Sequence, residues 1–363
     1  MPASDISYMQ RCIALAKKGQ GIIKSGALVG CVIVKNDEVI AEGWYQTFGQ
    51  AHAEINALNS AGEKAGGATL YVSLEPCAHW GKTGPCCEAI IAAGIVRVVF
   101  GMLDPNPKVK GKGLEKIKAA GIDVSGPVLE SECAELNPGF VKRMTAGLPF
   151  LRCKLAMSLD GRTAMSSGES KWITGKEARE DVQKLRAASS ALITGVETIL
   201  IDDPSLNVRM AGSESSQPLR VIVDSQLRTP QHAKSLQVPG EILLATALEN
   251  RAMEYSSPQV QIKSFPDQNN QVNLPALMEY LAQEYECNEV LLESGPTLAG
   301  AMLKAGLIDE IITYIAPTLL GSTARPLFNL PGMENMSEQI GLEIIDVAIV
   351  GKDCRMRTRV IKS

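Results

Sequence analysis

The sequence of 363 residues has few aromatic side chains and no excess of basic charge. Phe, Trp and Tyr together make up 4% of the chain, so the aromatic platforms on which nucleic-acid-binding proteins stack bases would be scarce. Lys and Arg number 36 against 40 Asp and Glu, and neither half of the chain is basic. Because binding to a polyanion needs a positive surface, no nucleic-acid partner is expected.

The chain also lacks long apolar runs. The longest, such as residues 27–34 and 311–316, fall far below the roughly 20 residues that cross a bilayer, so no membrane partner is expected. The N-terminal segment has neither the basic start nor the apolar stretch of a secretory signal. These absences favour a cytoplasmic protein.

Two further absences concern cofactors and crosslinks. No strand is followed by a G-x-G-x-x-G motif, so a Rossmann dinucleotide site is not predicted. Nine cysteines are an odd number, spread along the chain without an export signal. That usage argues against a disulfide framework and favours thiols, some of which can be metal ligands.

The length exceeds what one core usually holds, and the strand and helix patterns occur in two series. Predicted strands at 27–34, 68–74 and 96–101 alternate with helices at 52–61, 86–93 and 112–120, after a first helix at 5–18. A connector at 140–147 precedes a second series that starts with a strand at 150–158 and a helix at 176–188. We therefore predict two α/β domains, residues 1–147 and residues 148–363.

Four residues of the first half have the spacing of a catalytic zinc site. His52 and Glu54 begin one predicted helix, and Cys77 and Cys86, each preceded by proline, flank a polar loop. One histidine and two thiolates leave a fourth position open on zinc, and a helix start favours the thiolate form. Glu54 is placed to act as acid and base without being a ligand, as in zinc deaminases of nucleobases.

Taken singly, these residues are more often ordinary buried thiols and a helical histidine. Their combination favours zinc. Cys87 is expected to pack in the core, whereas His79, in the loop between the cysteines, either faces a substrate or supports the loop.

Further motifs follow in a fixed order along the chain. They are Glu75-Pro76-Cys77-Ala78-His79, Asp104-Pro105-Asn106-Pro107, Ser158-Leu159-Asp160-Gly161-Arg162, Ser170-Lys171-Trp172-Ile173-Thr174 and Glu293-Ser294-Gly295-Pro296-Thr297. From about residue 5 to residue 360 the sequence resembles the bifunctional riboflavin-biosynthesis deaminase/reductase family.

The resemblance implies two consecutive reactions on a ribosylaminopyrimidine 5′-phosphate, a zinc-dependent deamination and an NADPH-dependent reduction of the ribosyl group. It implies a cytidine-deaminase-like α/β/α sandwich, a dihydrofolate-reductase-like second domain, and a homo-oligomer. The cofactor residues it implies are Ala156, Trp172, Thr198, Asp202, Ser225, Gly295, Pro296, Thr297, Leu298, Ala299 and Gly300. The substrate residues it implies are Ser170, Arg186, Leu206, Arg209, Glu293, His79 and Lys82.

The chemistry of these residues agrees with such roles. Arg186 and Arg209 can clamp a ribose 5′-phosphate, and Gly295 at a strand-to-helix turn leaves backbone N–H groups for a phosphate. Lys154 and Asp160 lie near the reductase motifs, but the sequence assigns a proton donor to neither.

The sequence departs from the family pattern in the deaminase half. Ser25-Gly26-Ala27 stands where the family has Pro-Asn-Pro, and Tyr45 stands where it has histidine. Two hypotheses follow: a working deaminase with an altered pocket, or a zinc-bearing structural domain attached to a reductase. The presence of Glu54 favours the first, since a structural zinc site does not need it.

Overall fold

The computed structural model describes residues 3–80, 84–107, 109–210, 217–249, 255 and 257–361. The chain forms two compact units, Met1–Leu148 and Pro149–Ser363. No disulfide joins the nine cysteines, all of which lie within the described residues.

The first unit contains one sheet in the order β2-β1-β3-β4-β5, in which β1 runs antiparallel to β2 and β3, and the last three strands are parallel. Its strands are β1 Gly30–Lys35, β2 Glu38–Trp44, β3 Thr69–Leu74, β4 Arg97–Met102 and β5 Asp123–Ser125. Its helices are α1 Ala3–Ala16, α2 Ala53–Ala61, α3 Cys86–Ala92, α4 Lys112–Ala119, α5 Glu130–Leu136 and α6 Pro138–Ala146.

Helices cover both faces of this sheet, because its strands are apolar on both sides. Along β1, Cys31 and Ile33 pack with α2, α3 and α4, whereas Val32 and Val34 point to the face that holds α1 and α5. A Cβ on Gly43 in β2 would lie 2.3 Å from the Ala53 carbonyl oxygen, so this glycine lets the start of α2 lie directly on the sheet. The two helices that begin at the zinc motifs therefore share one face.

The second unit has a nine-stranded sheet in the order β11-β10-β9-β8-β12-β6-β13-β16-β15, parallel from β11 to β13 and closed by two antiparallel strands. The strands of the unit are β6 Phe150–Ser158, β7 Arg162–Ala164, β8 Ala191–Gly195, β9 Leu219–Val223, β10 Ile242–Thr246, β11 Val260–Ser264, β12 Glu289–Leu292, β13 Ile308–Ala316, β14 Arg325–Pro326, β15 Leu342–Val350 and β16 Asp353–Val360. Its helices are α7 Lys176–Ala188, α8 Val196–Asp202, α9 Lys234–Gln237, α10 Leu274–Gln283 and α11 Pro296–Lys304. The short strands β7 and β14 pair separately.

The predicted α/β class is confirmed in both units, but the predicted connector at 140–147 is wrong. All but the last of those residues belong to α6, which has Pro138 in its first turn and ends at Ala146, followed by Gly147 with a φ of 68°. Proline at a helix start and glycine just after a helix end are common signals. Among the described residues, no helix is long and apolar enough to cross a membrane.

Candidate metal centre and cofactor cavity

In the first unit, the structure brings together the three predicted metal ligands. His52 is the N-cap residue of α2, Cys86 is the first residue of α3, and Cys77 lies in the loop after β3. The His52 Nδ1 atom lies 3.2 Å from Cys86 Sγ and 3.6 Å from Cys77 Sγ. These residues are up to 34 positions apart in the sequence. They come together because α2 and α3 start at the same end of the sheet.

The spacing of these ligand atoms fits zinc. With Zn–S near 2.3 Å and Zn–N near 2.05 Å, tetrahedral ligand atoms stand about 3.6 Å apart. All three atoms lie within 4.8 Å of one another, and among the described residues they form the group that can hold a metal ion. Three such ligands leave one position on zinc open for water or substrate, as catalytic sites require.

The start of α3 stabilises a thiolate at Cys77. The Cys86 backbone N–H donates a hydrogen bond to Cys77 Sγ over 3.2 Å. Hydrogen bonds from the Cys86 thiol and from His52, together with this backbone N–H, hold the pKa of Cys77 well below its usual value. A lowered thiol pKa is what metal binding needs, since the thiolate is the ligand.

Glu54 lies beside the cluster without being part of it. Its side chain is buried, and burial raises its pKa to about 7, with His52 opposing the shift. A carboxyl group that gains and loses a proton near neutrality is suited to general acid and base chemistry. This is the position that the sequence predicts for Glu54.

The sequence did not predict a structural role for Glu75, which holds the loop that contains Cys77 through hydrogen bonds. Its buried carboxylate accepts hydrogen bonds from the backbone N–H groups of Asp104 (3.1 Å), Gly111 (2.9 Å) and Gly113 (3.0 Å). Glu75 therefore ties the residues before Cys77 to a second loop. Its place directly before Pro76-Cys77 was the available signal.

The two other deaminase residues expected from the family are placed differently. His79 is exposed on the loop after Cys77, and its charge opposes the burial that raises the pKa of Asp104. Lys82 lies outside the described residues.

The second unit contains a cavity of about 1780 Å³, larger than the usual range of ligand pockets. Of the cofactor and substrate residues expected in this unit, all but two line it: Ala156, Ser170, Trp172, Arg186, Thr198, Asp202, Leu206, Arg209, Ser225, Glu293, Gly295, Pro296, Thr297 and Leu298. Ala299 and Gly300 are buried on the inner side of α11 and do not line the cavity.

The start of α11 forms one wall of the cavity. Gly295 is the N-cap residue and has no side chain with which to accept hydrogen bonds from the first helical turn, and Pro296 follows it. Gly295 and Thr297 are exposed. Free N–H groups at the positive end of a helix suit the phosphates of a dinucleotide, so this wall fits NADPH.

Arg186, one of the two arginines expected to clamp the substrate phosphate, forms a buried ion pair in the cavity wall. Its guanidinium donates to Glu293 Oε1 over 2.6 Å and to Glu293 Oε2 over 2.9 Å, and also to the Asn207 carbonyl oxygen over 3.0 Å. Although burial opposes ionisation, Arg186 holds the pKa of Glu293 below its usual value. Three of the five N–H groups of Arg186 are therefore used within the protein, although the residue lines the cavity.

Arg209 differs from Arg186 in both exposure and partners. It is exposed, and its guanidinium donates to the Ser205 hydroxyl and to Asn207 Oδ1, both over 3.2 Å. Hydroxyl and amide partners leave the positive charge of Arg209 for an anion in the cavity.

The structure separates Lys154 from Asp160. Lys154 lines the cavity, where burial lowers its pKa and Glu293 opposes that shift. Asp160 instead accepts hydrogen bonds from the backbone N–H groups of Leu320 and Gly321 and from the Ser158 hydroxyl, and it does not line the cavity. Asp160 therefore organises a loop.

Several other polar residues of the cavity wall were not predicted. The Arg179 guanidinium lies 4.4 Å from the centroid of the Trp172 ring, and Gln271 contacts the Ser225 hydroxyl at 3.1 Å. Lys171 donates to the Asp202 carbonyl oxygen over 3.2 Å. Nothing in the local sequence around these three residues indicates that they line a cavity. Their position becomes evident only from their contacts in the folded chain.

Comparison with known families agrees with this arrangement. Residues 2–102 match the cytidine and deoxycytidylate deaminase zinc-binding region, and residues 149–354 match the RibD C-terminal domain. The chain is 47% identical over 361 residues to riboflavin biosynthesis protein RibD of Escherichia coli (strain K12), which covers 96% of this chain and 97% of that protein. It is 43% identical over 370 residues to RibD of Haemophilus influenzae, with 98% and 97% covered.

Solved structures match over both units. The structure of Acinetobacter baumannii RibD in its form 1 superposes with a TM-score of 0.92 at 45% identity, covering 99% of each chain. A diaminohydroxyphosphoribosylaminopyrimidine deaminase/5-amino-6-(5-phosphoribosylamino)uracil reductase from Thermotoga maritima gives a TM-score of 0.88 at 33% identity, again covering 99% of each. The chain therefore belongs to the RibD family of bifunctional riboflavin-biosynthesis enzymes, with a zinc-dependent deaminase domain followed by an NADPH-dependent reductase domain.

Proposed function

We propose that this chain acts on 2,5-diamino-6-ribosylamino-4(3H)-pyrimidinone 5′-phosphate, removing its 2-amino group hydrolytically and then reducing its ribosyl group to a ribityl chain. Residues 1–147 carry the first reaction and residues 148–363 the second. The observation that carries this proposal is the buried Glu54 beside His52, Cys77 and Cys86 in a chain that also forms the large reductase cavity.

In the first reaction, zinc supplies the Lewis acid that activates water at neutral pH. His52, Cys77 and Cys86 hold the metal, and the Glu54 carboxylate accepts a proton and returns it to the departing amino group. Burial of Glu54 keeps this proton from bulk solvent. Glu75 keeps the Cys77 loop in place during turnover.

In the second reaction, NADPH would supply a hydride to the anomeric carbon of the ribosyl group as its ring C–O bond breaks, and the released ring oxygen would take a proton from water. The start of α11 from Gly295 to Leu298 binds the cofactor phosphates, and Trp172, Thr198, Asp202 and Ser225 bind other parts of the cofactor, with Ala156 on the same wall. Arg209 binds the 5′-phosphate of the substrate, and Ser170 and Leu206 line the cavity with it. The ion pair of Arg186 and Glu293 lines the same cavity beside the substrate.

A second candidate is a reductase whose first unit only supports the fold, because Gly26 and Tyr45 depart from the family pattern. The buried position of Glu54 beside the metal ligands argues against it, because burying a carboxyl group is costly and a structural zinc site does not need one.

The decisive experiment measures both half-reactions and the zinc content on one preparation. We expect about one zinc per chain, ammonia release from the diaminopyrimidine ribotide, and NADPH oxidation with the deaminated intermediate. Glu54→Gln should keep the zinc and the reductase rate but lower ammonia release by at least about a hundredfold. Zinc without any ammonia release in the wild-type protein would instead establish the structural candidate.

We also propose that the chain forms a homo-oligomer in the cytoplasm and acts on this small ribotide without nucleic acid. The strand β15 lies at the edge of its sheet and exposes the side chains of Ile344, Val347 and Ile349. Packing of a second copy against this apolar stripe would bury it. Sedimentation velocity of the wild-type protein and of Ile349→Lys tests this point, and we expect the substitution to shift the protein toward the monomer.

A further inference from the structure

Tyr45 lies between a metal ligand and the segment that departs from the family pattern. Its ring meets the His52 ring edge to face, with 5.3 Å between the centroids and an interplanar angle of 85°. The side chain of Tyr45 is 7% exposed. The Tyr45 ring therefore contacts the imidazole of His52, whose Nδ1 atom faces the sulfur atoms of Cys86 and Cys77.

On its other side, the Tyr45 ring occupies the space next to Gly26. A Cβ built on Gly26 would lie 3.0 Å from Tyr45 Cε1, 3.3 Å from Ile23 Cγ2 and 3.5 Å from Phe48 Cδ2. The first of these contacts is tighter than nine in ten real Cβ contacts, so the Tyr45 ring or the segment would have to shift by a few tenths of an ångström. A longer side chain at position 26 would need still more room.

Neither neighbour can move freely. The backbone beside Gly26 is held by α6 and by its N-cap residue. Arg143 Nη2 in α6 donates to the Ser25 carbonyl oxygen over 2.6 Å, and Asn137 exchanges two hydrogen bonds with the Leu28 backbone, of 2.6 Å and 2.9 Å. The Tyr45 hydroxyl accepts a hydrogen bond from the Gly49 N–H over 2.7 Å. A side chain at position 26 therefore pushes on the ring that supports His52.

We propose that Tyr45 is a positioning residue for the metal ligand His52, and that Gly26 is its required counterpart, because any side chain at position 26 displaces the Tyr45 ring. This inference rests on the proposed zinc site. It has a consequence for the sequence: while Tyr45 is present, position 26 cannot carry the asparagine of the family's Pro-Asn-Pro segment without displacing the Tyr45 ring. Restoring asparagine at position 26 alone damages the site instead of repairing it.

The test measures zinc affinity by chelator competition and the visible absorption of the Co²⁺-substituted protein, on the full chain. Edge-to-face aromatic pairs contribute about 0.5–1.5 kcal/mol, so Gly26→Asn and Tyr45→Ala should each weaken zinc binding roughly two- to tenfold. Both should also shift the Co²⁺ bands, which report ligand geometry. Tyr45→Phe keeps the ring and should bind zinc within about twofold of the wild-type protein.

Coupling is tested with the double variant Gly26→Asn/Tyr45→Ala, which should bind zinc no more weakly than Tyr45→Ala alone, since the displaced ring is gone. Gly66→Asn is the matched control, because a Cβ at Gly66 would approach its nearest neighbours only to 3.8 Å. Gly26→Ala introduces the close contact with the smallest side chain, in case Gly26→Asn does not fold.

The inference is overturned if Gly26→Asn and Gly26→Ala both keep the zinc affinity and the Co²⁺ spectrum of the wild-type protein. It is also overturned if Tyr45→Phe binds zinc as weakly as Tyr45→Ala does. A wild-type protein that binds no stoichiometric zinc would overturn the proposed metal site as well, so the two failures are distinguishable.

Discussion

Replacing Glu293 with glutamine should destabilise the reductase unit more strongly than its small change in shape suggests. The substitution removes a buried carboxylate that faces Arg186 directly and also lies near Lys154 and Arg209, whose charges lower its pKa. The side chains of Arg186 and Glu293 are only 10% and 12% exposed, so water cannot replace the lost partner.

The magnitude follows from leaving one buried charge uncompensated, which costs about 3–5 kcal/mol in comparable pairs. An exposed pair on the same helix provides the control. Lys176 and Glu180 are 77% and 62% exposed with 3.6 Å between their charged atoms, so Glu180→Gln should cost less than about 0.5 kcal/mol. Replacing Arg186 and Glu293 together with leucine should recover only part of the loss, because the uncompensated charge of Arg186 is gone but the buried Lys154 still loses its partner Glu293.

The measurement is hydrogen exchange of the full-length protein in increasing urea, followed on peptides from α7 and β12, because a two-unit chain has no single unfolding free energy. The pH dependence gives a second check. A carboxyl group with a lowered folded pKa stabilises the fold above its unfolded pKa of about 4.3, and this stabilisation is lost as the pH falls through the folded value. The difference between wild type and Glu293→Gln should therefore shrink in acid. Equal effects of Glu293→Gln and Glu180→Gln at pH 7 would refute the reasoning.

Two further predictions concern the two sites. Arg209→Ala should raise the reductase KM for the phosphorylated substrate roughly tenfold to a hundredfold, because a charge-assisted hydrogen bond contributes about 1.5–3 kcal/mol, while the exchange of α7 stays as in wild type; an unchanged KM would remove Arg209 from the phosphate site. Glu75→Gln should lower zinc affinity about tenfold, since the amide can no longer accept from three N–H groups at once, and its NADPH oxidation should be unaffected. A Glu75→Gln protein with full zinc affinity would show that the Cys77 loop holds its shape unaided.

The metal centre was predictable because its chemistry is carried by short local motifs. His52 with Glu54, and Cys77 with Cys86, each stand at a predicted helix start, and thiols with imidazole at such positions have few other combined uses. The long strands and helices were equally accessible, since β6 and α7 have the bounds that their periodicity predicts.

Other features depend on partners that are distant in sequence. The pairing of Arg186 with Glu293 spans 107 positions, so the sequence could not reveal that this arginine is engaged. The strand β11 was missed because its five residues include only two apolar ones, too few to establish the alternation of a strand. The helix α8 was missed because its seven residues are too few to establish a period.

The hydrogen bonds from Asn137 and Arg143 to the segment from Ser25 to Leu28 also bear on the order of folding during synthesis. The zinc ligands all lie between positions 52 and 86, whereas Asn137 and Arg143, which hold this segment, lie more than 50 residues later. On the ribosome, the metal ligands therefore emerge first. The segment from Ser25 to Leu28 can form its hydrogen bonds with Asn137 and Arg143 only when α6 has left the exit tunnel. A shortened chain that ends near residue 102, where the match to the zinc-binding region stops, would retain the metal ligands but lose the hydrogen bonds from Asn137 and Arg143.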